Sequence, residues 1–179
     1  ASAATAVTGT SATFNGNVVS TGALPTQVWL CWEAASGDQG TNESGWSTVS
    51  AMGYRGVEAL SSNITGLTEG TQYYYRFMGS NSLGRGWSAA VSVWTLPAAP
   101  GSVVATEGGD TSKVTVTWGN VIGETGFTVW RDTDSNPTGS SQVGGLVAAD
   151  TLTYDDTTAT PGQQYYYFVR ATNSSGQSA

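Results

Sequence analysis

The sequence predicts an all-β chain of two tandem seven-stranded antiparallel β-sandwiches, the second without its last strand. The first observation is a repeat, because residues 70–77 (GTQYYYRF) return as 162–169 (GQQYYYFV). A repeat so widely spaced in 179 residues indicates two copies of one domain. Charged residues make up only 11%, against about 25% in typical globular proteins, and Ser, Thr and Gly replace them. No apolar stripe of helical period runs for three turns. The two repeated segments are named the tyrosine strands.

In the first half of the chain, β-branched and aromatic runs lie between turn-forming residues, which is the pattern of short strands. The clearest runs are 11–19, 28–33, the first tyrosine strand and 91–95, with weaker signals between 49 and 67. A stretch rich in Gly, Ser, Asp and Asn predicts a long loop at 34–47. Residues 1–96 are therefore predicted to form the first domain.

Two prolines within residues 97–101 predict a stiff, extended linker between the domains. Residues 102–179 are predicted to form the second domain. Its strand signals follow the order of the first half and lie at 113–118, 126–131, 151–156 and the second tyrosine strand. Residues 132–145 are predicted to form a loop.

The residues leading into both tyrosine strands resemble the tyrosine corner of fibronectin type III domains. They are 67–73 (LTEGTQY) and 160–165 (TPGQQY). Residues 114–118 (VTVTW) resemble strand B of that family with its core tryptophan, and 155–173 is similar to modules of secreted bacterial proteins. The resemblance covers the whole chain and implies a fibronectin type III or immunoglobulin-like sandwich.

Alternation along the tyrosine strands predicts the two core faces. They are Tyr73, Tyr75 and Phe77 in the first domain, and Tyr165, Tyr167 and Val169 in the second. A buried phenol needs a hydrogen-bond partner, so the hydroxyls of Tyr73 and Tyr165 are expected to bond backbone groups a few residues upstream.

The first domain departs from the family pattern at its second strand. Gly16 stands there at the position that Trp118 occupies in the second domain. Protein cores are close-packed, so another side chain has to occupy this volume. Trp32 or Trp46 is expected to fill it.

The sequence ends soon after Gly176, where the seventh strand of the second domain is expected to begin. A sandwich without that strand leaves an apolar groove and an open edge that accepts another strand. A candidate donor is the segment Ser2, Ala3, Ala4, Thr5, Ala6, Val7 and Thr8, which is similar to 88–93. Its donation to the second domain of another copy would build a head-to-tail filament. The alternative is that the strand follows Ala179.

The composition argues against catalysis and metal binding. The chain has no His and one Cys, Cys31, which excludes Ser-His-Asp and Cys-His catalytic sites and the usual zinc sites. The remaining carboxylate pairs are Asp132/Asp134 and Asp155/Asp156, which also fit turn chemistry. Residues 132–136 (DTDSN) begin like a Ca²⁺ loop, but Pro137 replaces the required Gly and Val143 the bidentate acid. We expect no catalytic residue, cofactor or metal.

Charge and hydropathy narrow the class of partner. The formal net charge is −7 and the six Lys and Arg residues are scattered. The chain is therefore expected to bind neither nucleic acid nor an anionic membrane. No apolar run approaches the roughly 20 residues of a membrane span, so membrane insertion is not expected.

One outer face of each domain carries aromatic residues beside arginines and is named the candidate contact face. Its residues are Trp29, Tyr74, Arg76, Trp130, Tyr166, Phe168 and Arg170. Cys31 and Met78 are expected to point outward on the same face. Such a face packs against neighbouring domains or stacks on sugar rings. The alternative is a cross-strand ladder that stabilises its own sheet.

Three sequons mark Asn42, Asn63 and Asn173 as candidate N-glycosylation sites, although such sequons also arise by chance in a Ser/Thr-rich chain. The whole sequence predicts a non-enzymatic extracellular or cell-surface protein, a structural or adhesive repeat whose partners are its own copies or neighbouring domains. The alternative is an accessory module of a secreted polysaccharide-degrading enzyme that contacts carbohydrate through the aromatic residues of the candidate contact face.

Overall fold

The computed structural model describes residues 1–34, 37–106 and 112–179. It divides into two compact units, Ala1–Thr95 and Leu96–Ala179. Each unit is a pair of antiparallel sheets around its own hydrophobic core. The predicted all-β sandwich architecture is therefore confirmed. No helix among these residues has the length and apolar character needed to cross a membrane.

Among its described residues, the first unit has eight strands and a 3₁₀ turn at Glu43–Gly45. The strands are β1 (Ser2–Thr5), β2 (Ser11–Asn17), β3 (Thr26–Ala34), β4 (Thr48–Arg55), β5 (Ala59–Thr65), β6 (Gln72–Asn81), β7 (Gly84–Trp87) and β8 (Val91–Trp94). One sheet has the order β1-β2-β5. The other has the order β4-β3-β6, with β7 and β8 both paired to the far edge of β6.

The described part of the second unit has seven strands in the corresponding order. They are β9 (Val104–Ala105), β10 (Val114–Thr117), β11 (Gly126–Asp132), β12 (Ser141–Ala148), β13 (Thr153–Asp156), β14 (Tyr166–Asn173) and β15 (Gly176–Gln177). The sheets are β9-β10-β13 and β12-β11-β14-β15. Strand β14, which begins within the second tyrosine strand, therefore lies between β11 and β15. Strand β15, at the edge of this sheet, is only two residues long.

Strand β12 begins inside the stretch 132–145, so the prediction of a loop throughout that stretch was wrong. The strand was not predicted because Gly144 and Gly145 weaken its sequence signal, as glycine does in any strand. The pairing explains their presence, since Phe127 pairs with Val147 and Val129 with Val143, which leaves an irregularity between them. Gly144 lies in this irregularity with φ +67°, a conformation that glycine adopts readily.

The core of the first unit is built on stacked aromatic rings. Phe14 and Tyr75 stack with ring centroids 4.2 Å apart, and both are fully buried. Trp32 meets Phe14 edge-on at 6.4 Å. Tyr73 and Tyr75 are buried with Phe77, as the alternation predicted.

Phe77 fills the volume opposite Gly16, so the prediction of Trp32 or Trp46 was wrong. A Cβ atom on Gly16 would lie 2.6 Å from Phe77 Cδ2. Trp46 is buried outside this core cluster, and Trp32 packs against it beside Phe14.

The core of the second unit departs from prediction at one tyrosine. Val169 is buried and Tyr167 packs against the core. Tyr165, predicted to face the core, is only half-buried and precedes the start of β14. Its ring lies against the guanidinium of Arg131, 4.3 Å from Cζ to the ring centroid. The charged side chain of Arg131, near the C-terminal end of β11, therefore contacts Tyr165 where apolar packing was predicted.

Candidate functional site

The tyrosine corner of the first unit ties the start of β6 to the loop before it. The Tyr73 hydroxyl accepts a hydrogen bond from the Thr68 backbone N–H at 2.9 Å, as predicted. Fully buried Thr95 closes the same corner. Its hydroxyl donates to the Thr68 carbonyl at 2.7 Å and accepts from the Thr71 N–H at 2.9 Å. In the second unit, hydrogen bonds with the Thr160 side chain and backbone lower the pKa of Tyr165.

The edge of β14 is open where the corresponding edge of β6 is covered. In the first unit β8 pairs with β6 from Gln72 to Tyr75, and the side chains of Val91 and Val93 pack on the core. In the second unit β15 pairs with β14 only at its far end, and no other described strand adds to that edge. Among the described residues, the second unit therefore has no counterpart of β8.

A groove of about 890 Å³ lies along this open edge. One wall is formed by Val103, Ala105 and Val114, from β9, the residue before it and the first residue of β10. The opposite wall is the segment 159–167, which includes the corner and the start of β14. The groove thus occupies the position, between the first strand and the tyrosine strand, that β8 occupies in the first unit.

In the first unit the candidate contact face is covered by the loop between β3 and β4. Arg76 Nε donates to Asp38 Oδ1 of this loop at 2.6 Å, and the two side chains form an ion pair. The Gln39 amide donates to the carboxylate of buried Glu33. Tyr74, which pairs with Glu33 across the strands, is half-buried. The loop therefore covers part of this face, which is not fully open to solvent.

Cys31 and Met78 lie outside the core cluster of the first unit, on the face where they were predicted to point outward, but both are fully buried, so that face is not exposed there. Met78 pairs with Trp29 on β3 and Trp87 on β7. The three side chains form a cross-strand ladder that shields the thioether. Burial, with a smaller contribution from the charge of Glu43, raises the pKa of the Cys31 thiol to about 11.

The candidate contact face of the second unit brings its predicted residues together. Trp130 pairs with Phe168 across β11 and β14. The Arg170 guanidinium lies over the indole ring, with Cζ 4.6 Å from the centroid. The indole N–H donates to the hydroxyl of buried Thr128 at 2.9 Å. Tyr166 is 37% exposed. It lies on the same face of β14 as Phe168 and Arg170, and it extends this aromatic and cationic surface by one position along the strand.

A network of charged and polar side chains is buried at one end of the core of the second unit. The sequence analysis did not predict this network. Asp156 is fully buried, and its Oδ2 accepts from Arg131 at 2.6 Å and from the Tyr167 hydroxyl at 2.9 Å. Its Oδ1 accepts from the backbone N–H and hydroxyl of Thr158 at 2.8 and 2.7 Å. The available signal was Arg131 itself, which follows Phe127 and Val129 on the inward face of β11.

The network shifts the proton affinities of its members. Burial by itself raises the pKa of Asp156, but the hydrogen bonds of Thr158 and Tyr167 and the charge of Arg131 outweigh burial and lower it. Burial and the Asp156 carboxylate raise the pKa of Tyr167 to about 12. Asp156 is thus an ionised group held for structure, with its lone pairs occupied by neighbours.

The carboxylates of the two pairs make local structural contacts. Asp155 lies on the opposite side of β13 from Asp156 and pairs with Lys113 at 2.7 Å. Asp132 and Asp134 each accept a following backbone N–H, at 2.6 and 2.8 Å, as turn residues do. Within the described ranges no group of three or more His, Cys, Asp or Glu could hold a metal ion.

The three sequons differ in accessibility. Asn42 and Asn63 are exposed. Asn173 is half-buried, and its amide donates to the Gly123 carbonyl at 3.3 Å while accepting from the Ser175 N–H at 2.9 Å. A glycan on Asn173 would therefore disturb the turn between β14 and β15.

The candidate donor strand is used within its own unit. Strand β1 pairs with β2, and the side chains of Ala4 and Val7 pack against the core. The Tyr75 hydroxyl, from the middle of the core, donates to the Ser2 carbonyl. Donation of residues 2–8 to another copy would therefore require breaking these contacts.

The fold is shared with solved structures of tandem fibronectin type III domains. A two-domain segment from chicken tenascin aligns with 99% of this chain and 92% of its own, with a TM-score of 0.52 and 15% identity. The FN1–FN3 domains of chicken CNTN1 align with 97% of this chain and 60% of their own, with a TM-score of 0.44 and 14% identity. No protein-family model and no curated protein sequence matches the chain. The tenascin likeness shows that the chain has the tandem fibronectin type III fold.

Proposed function

We propose that the chain is a non-enzymatic structural module of an extracellular protein, serving as a spacer or adhesive repeat. The observation that supports this function is the use of its polar groups. Asp156 with Arg131 joins β13 to β11, Asp38 with Arg76 fastens a loop to a sheet, and Thr95 closes a corner. These groups hold strands in place, which is what a spacer that resists unfolding under tension requires.

Stretching the whole chain between two handles tests this function. We expect two separate unfolding events, one for Ala1–Thr95 and one for Leu96–Ala179. They should release about 330 and about 290 Å of chain, at about 3.5 Å per residue. Extension without a discrete unfolding event in either unit would contradict a role as a spacer that resists tension.

A second candidate function is carbohydrate contact by the second unit. It is favoured by the Arg170–Trp130 stack beside Phe168 and Tyr166, on a face whose counterpart in the first unit is covered by a loop. Aromatic faces stack on sugar rings and on flat cationic groups. The test is a pull-down with insoluble polysaccharides, comparing the chain with its Trp130→Ala and Tyr166→Ala variants.

The matched control for that test is Tyr54→Ala, which removes a well-exposed aromatic ring from β4. Carbohydrate contact requires binding by the chain, loss in the two variants and retention in the control. If the unmodified chain binds to none of the polysaccharides, the spacer function remains the better description.

A further inference from the structure

We propose that the candidate contact face of the second unit binds a sugar ring that carries a carboxylate, as the uronic acid residues of acidic polysaccharides do. This inference rests on the carbohydrate contact proposed above and names the class of sugar that fits the site. The group that selects this class is the guanidinium of Arg170, which lies among the aromatic rings of the face.

Arg170 is the exception among the basic side chains of the chain. Six residues are Lys or Arg, and five of them form an ion pair with a carboxylate. These pairs are Arg55–Glu58, Arg76–Asp38, Arg85–Glu43, Lys113–Asp155 and Arg131–Asp156. Within the described ranges no carboxylate pairs with Arg170, whose guanidinium contacts the indole ring of Trp130 instead. In a chain of net charge −7, this cation is therefore available to an anion from outside.

The guanidinium of Arg170 is held in position by strand β11. Its Cζ lies 4.6 Å from the centroid of the Trp130 ring, and the indole N–H donates to the hydroxyl of buried Thr128 at 2.9 Å. The Arg170 side chain thus extends from β14 toward β11, away from the edge that pairs with β15. A group that is ordered before binding loses less conformational entropy when the ligand arrives. The stack therefore prepares the guanidinium fork for a carboxylate, whose planar geometry it matches.

Two aromatic residues continue this surface along β14. Phe168 and Tyr166 lie at every second position from Arg170, so the three residues share one face at a spacing of about 7 Å. Exposed aromatic rings of this kind supply the flat apolar surface on which a sugar ring stacks. A sheet face presents side chains, whereas an extended peptide binds to the backbone groups of a sheet edge. The face therefore suits a stacked ring better than a peptide.

Asp132 determines the orientation of the sugar. It pairs with Tyr166 across β11 and β14, so it lies at the end of the face opposite to Arg170. Because like charges repel, the carboxylate of the sugar is directed to the Arg170 end, and its ring lies over Phe168 and Tyr166. The net charge of −7 disfavours a long polyanion. The site should therefore hold one acidic sugar residue rather than a continuous run of them.

The probe is digalacturonic acid, compared with its dimethyl ester, which keeps both rings and removes both charges. Each is added to the whole chain at about pH 7 and up to about 20 mM, and binding is followed by the NMR shift of the Trp130 indole N–H. The acid should give a saturable shift, and the ester should bind at least about tenfold more weakly. A short poly-glutamate peptide carries carboxylates without sugar rings and should also bind at least about tenfold more weakly than the acid.

Variants of the chain test the roles of the charged groups. Arg170→Gln should weaken binding of the acid at least about tenfold and leave binding of the ester unchanged. Arg170→Lys keeps the charge without the fork and should give an intermediate affinity. Arg55→Gln is the matched control, because it changes the net charge equally at a partly exposed position of the first unit, and it should bind as the unmodified chain does. Asp132→Asn should strengthen binding of the acid.

The outcomes separate this inference from the carbohydrate contact on which it rests. Equal binding of the acid and the ester, or of the acid by the unmodified chain and Arg170→Gln, would overturn the inference and leave carbohydrate contact standing. Equal binding of the poly-glutamate peptide would also overturn it, because the ring would then contribute nothing. Absence of binding by either sugar, with a negative polysaccharide pull-down, would overturn both proposals. The comparison of acid with ester uses the unmodified chain, so it does not depend on the folding of any variant.

Discussion

Phe77 lies in the space that the absent side chain of Gly16 leaves in the core of the first unit, with 2.6 Å between a Cβ built on Gly16 and the ring. The second unit has the opposite distribution of volume. Trp118 stands at the position of Gly16 and packs against Phe127 at 5.5 Å, and Val169 stands at the position of Phe77. The large side chain has moved from one strand to the other between the two repeats.

Gly16→Ala should destabilise the first unit by about 1–3 kcal/mol, because the added methyl group overpacks the core against Phe77. The cost should fall by about 1 kcal/mol in a Phe77→Val background, where the ring is gone. Denaturant unfolding, read by hydrogen exchange in β3 and β6, measures both values. Gly86→Ala is the matched control, since that glycine has open space around it and should tolerate a methyl group. Additive effects of the two core changes would refute the packing relationship.

Asp156→Asn should destabilise the second unit by about 3 kcal/mol, the lower end of the range for breaking a buried ion pair. The lower end applies because Arg131 keeps 19% of its side chain exposed. Hydrogen exchange at Phe127 and Val169 reports this unit. Asp155→Asn is the control on the neighbouring residue, and loss of its solvent-exposed pair with Lys113 should destabilise the unit far less.

The same network predicts a pH dependence. The pKa of Asp156 is lowered in the folded unit, so folding favours the ionised carboxylate. Its contribution to stability is complete above the unfolded pKa of about 3.9. It is lost as the pH falls from there through the folded pKa. The difference in unfolding free energy between the unmodified chain and Asp156→Asn should therefore shrink below about pH 4, and a difference that grew there would contradict this sign.

Cys31 should be nearly inert in the folded chain. Its pKa of about 11 leaves about one thiol in a thousand ionised at pH 8, and the thiolate is the reactive form. Labelling with a disulfide reagent should be at least about 100-fold slower than in denaturant. Asp38→Ala, which frees the covering loop from Arg76, should accelerate labelling, and Asp134→Ala should not.

Thr95→Val should destabilise the first unit by about 1–3 kcal/mol, because it leaves the Thr71 N–H and the Thr68 carbonyl without their hydroxyl partner. Thr95→Ser keeps that hydroxyl and should cost clearly less. Thermal unfolding of the two variants distinguishes the hydrogen bonds from simple loss of packing. Equal destabilisation by both would show that the methyl group contributes as much as the hydroxyl and would contradict the expected importance of the hydrogen bonds.

The sandwich fold could be predicted from the sequence, because it depends on the alternation of inward-facing and outward-facing residues along each strand. Tyr73, Tyr75 and Phe77 reach the core by period two alone. The same rule placed Cys31 and Met78 outside the core cluster but did not predict their burial, since it gives the face of a strand and not the loop or ladder that covers that face. It placed Tyr165 in the core because periodicity does not reveal Arg131, on another strand, as the neighbour of its ring.

The candidate site was predicted in outline and missed in detail. The lack of a counterpart of β8 among the described residues follows from counting strand signals after Gly176. The Arg170–Trp130 contact follows from neighbouring outward positions on β11 and β14. The Asp156 network was missed, because the inward position of Arg131 on β11 indicates a buried charge but does not reveal its partner, which lies on another strand. The covering of Arg76 depends on a loop without periodic signal.

The exchange of volume between Gly16/Phe77 and Trp118/Val169 limits how such repeats can recombine. A crossover between the second strand and the tyrosine strand would join the early part of one repeat to the late part of the other. One product would set a tryptophan against a phenylalanine, and the other would set a glycine against a valine, giving a clash or a cavity. Gene duplication and shuffling of this chain should therefore preserve each repeat as a whole, with viable junctions falling between the two units.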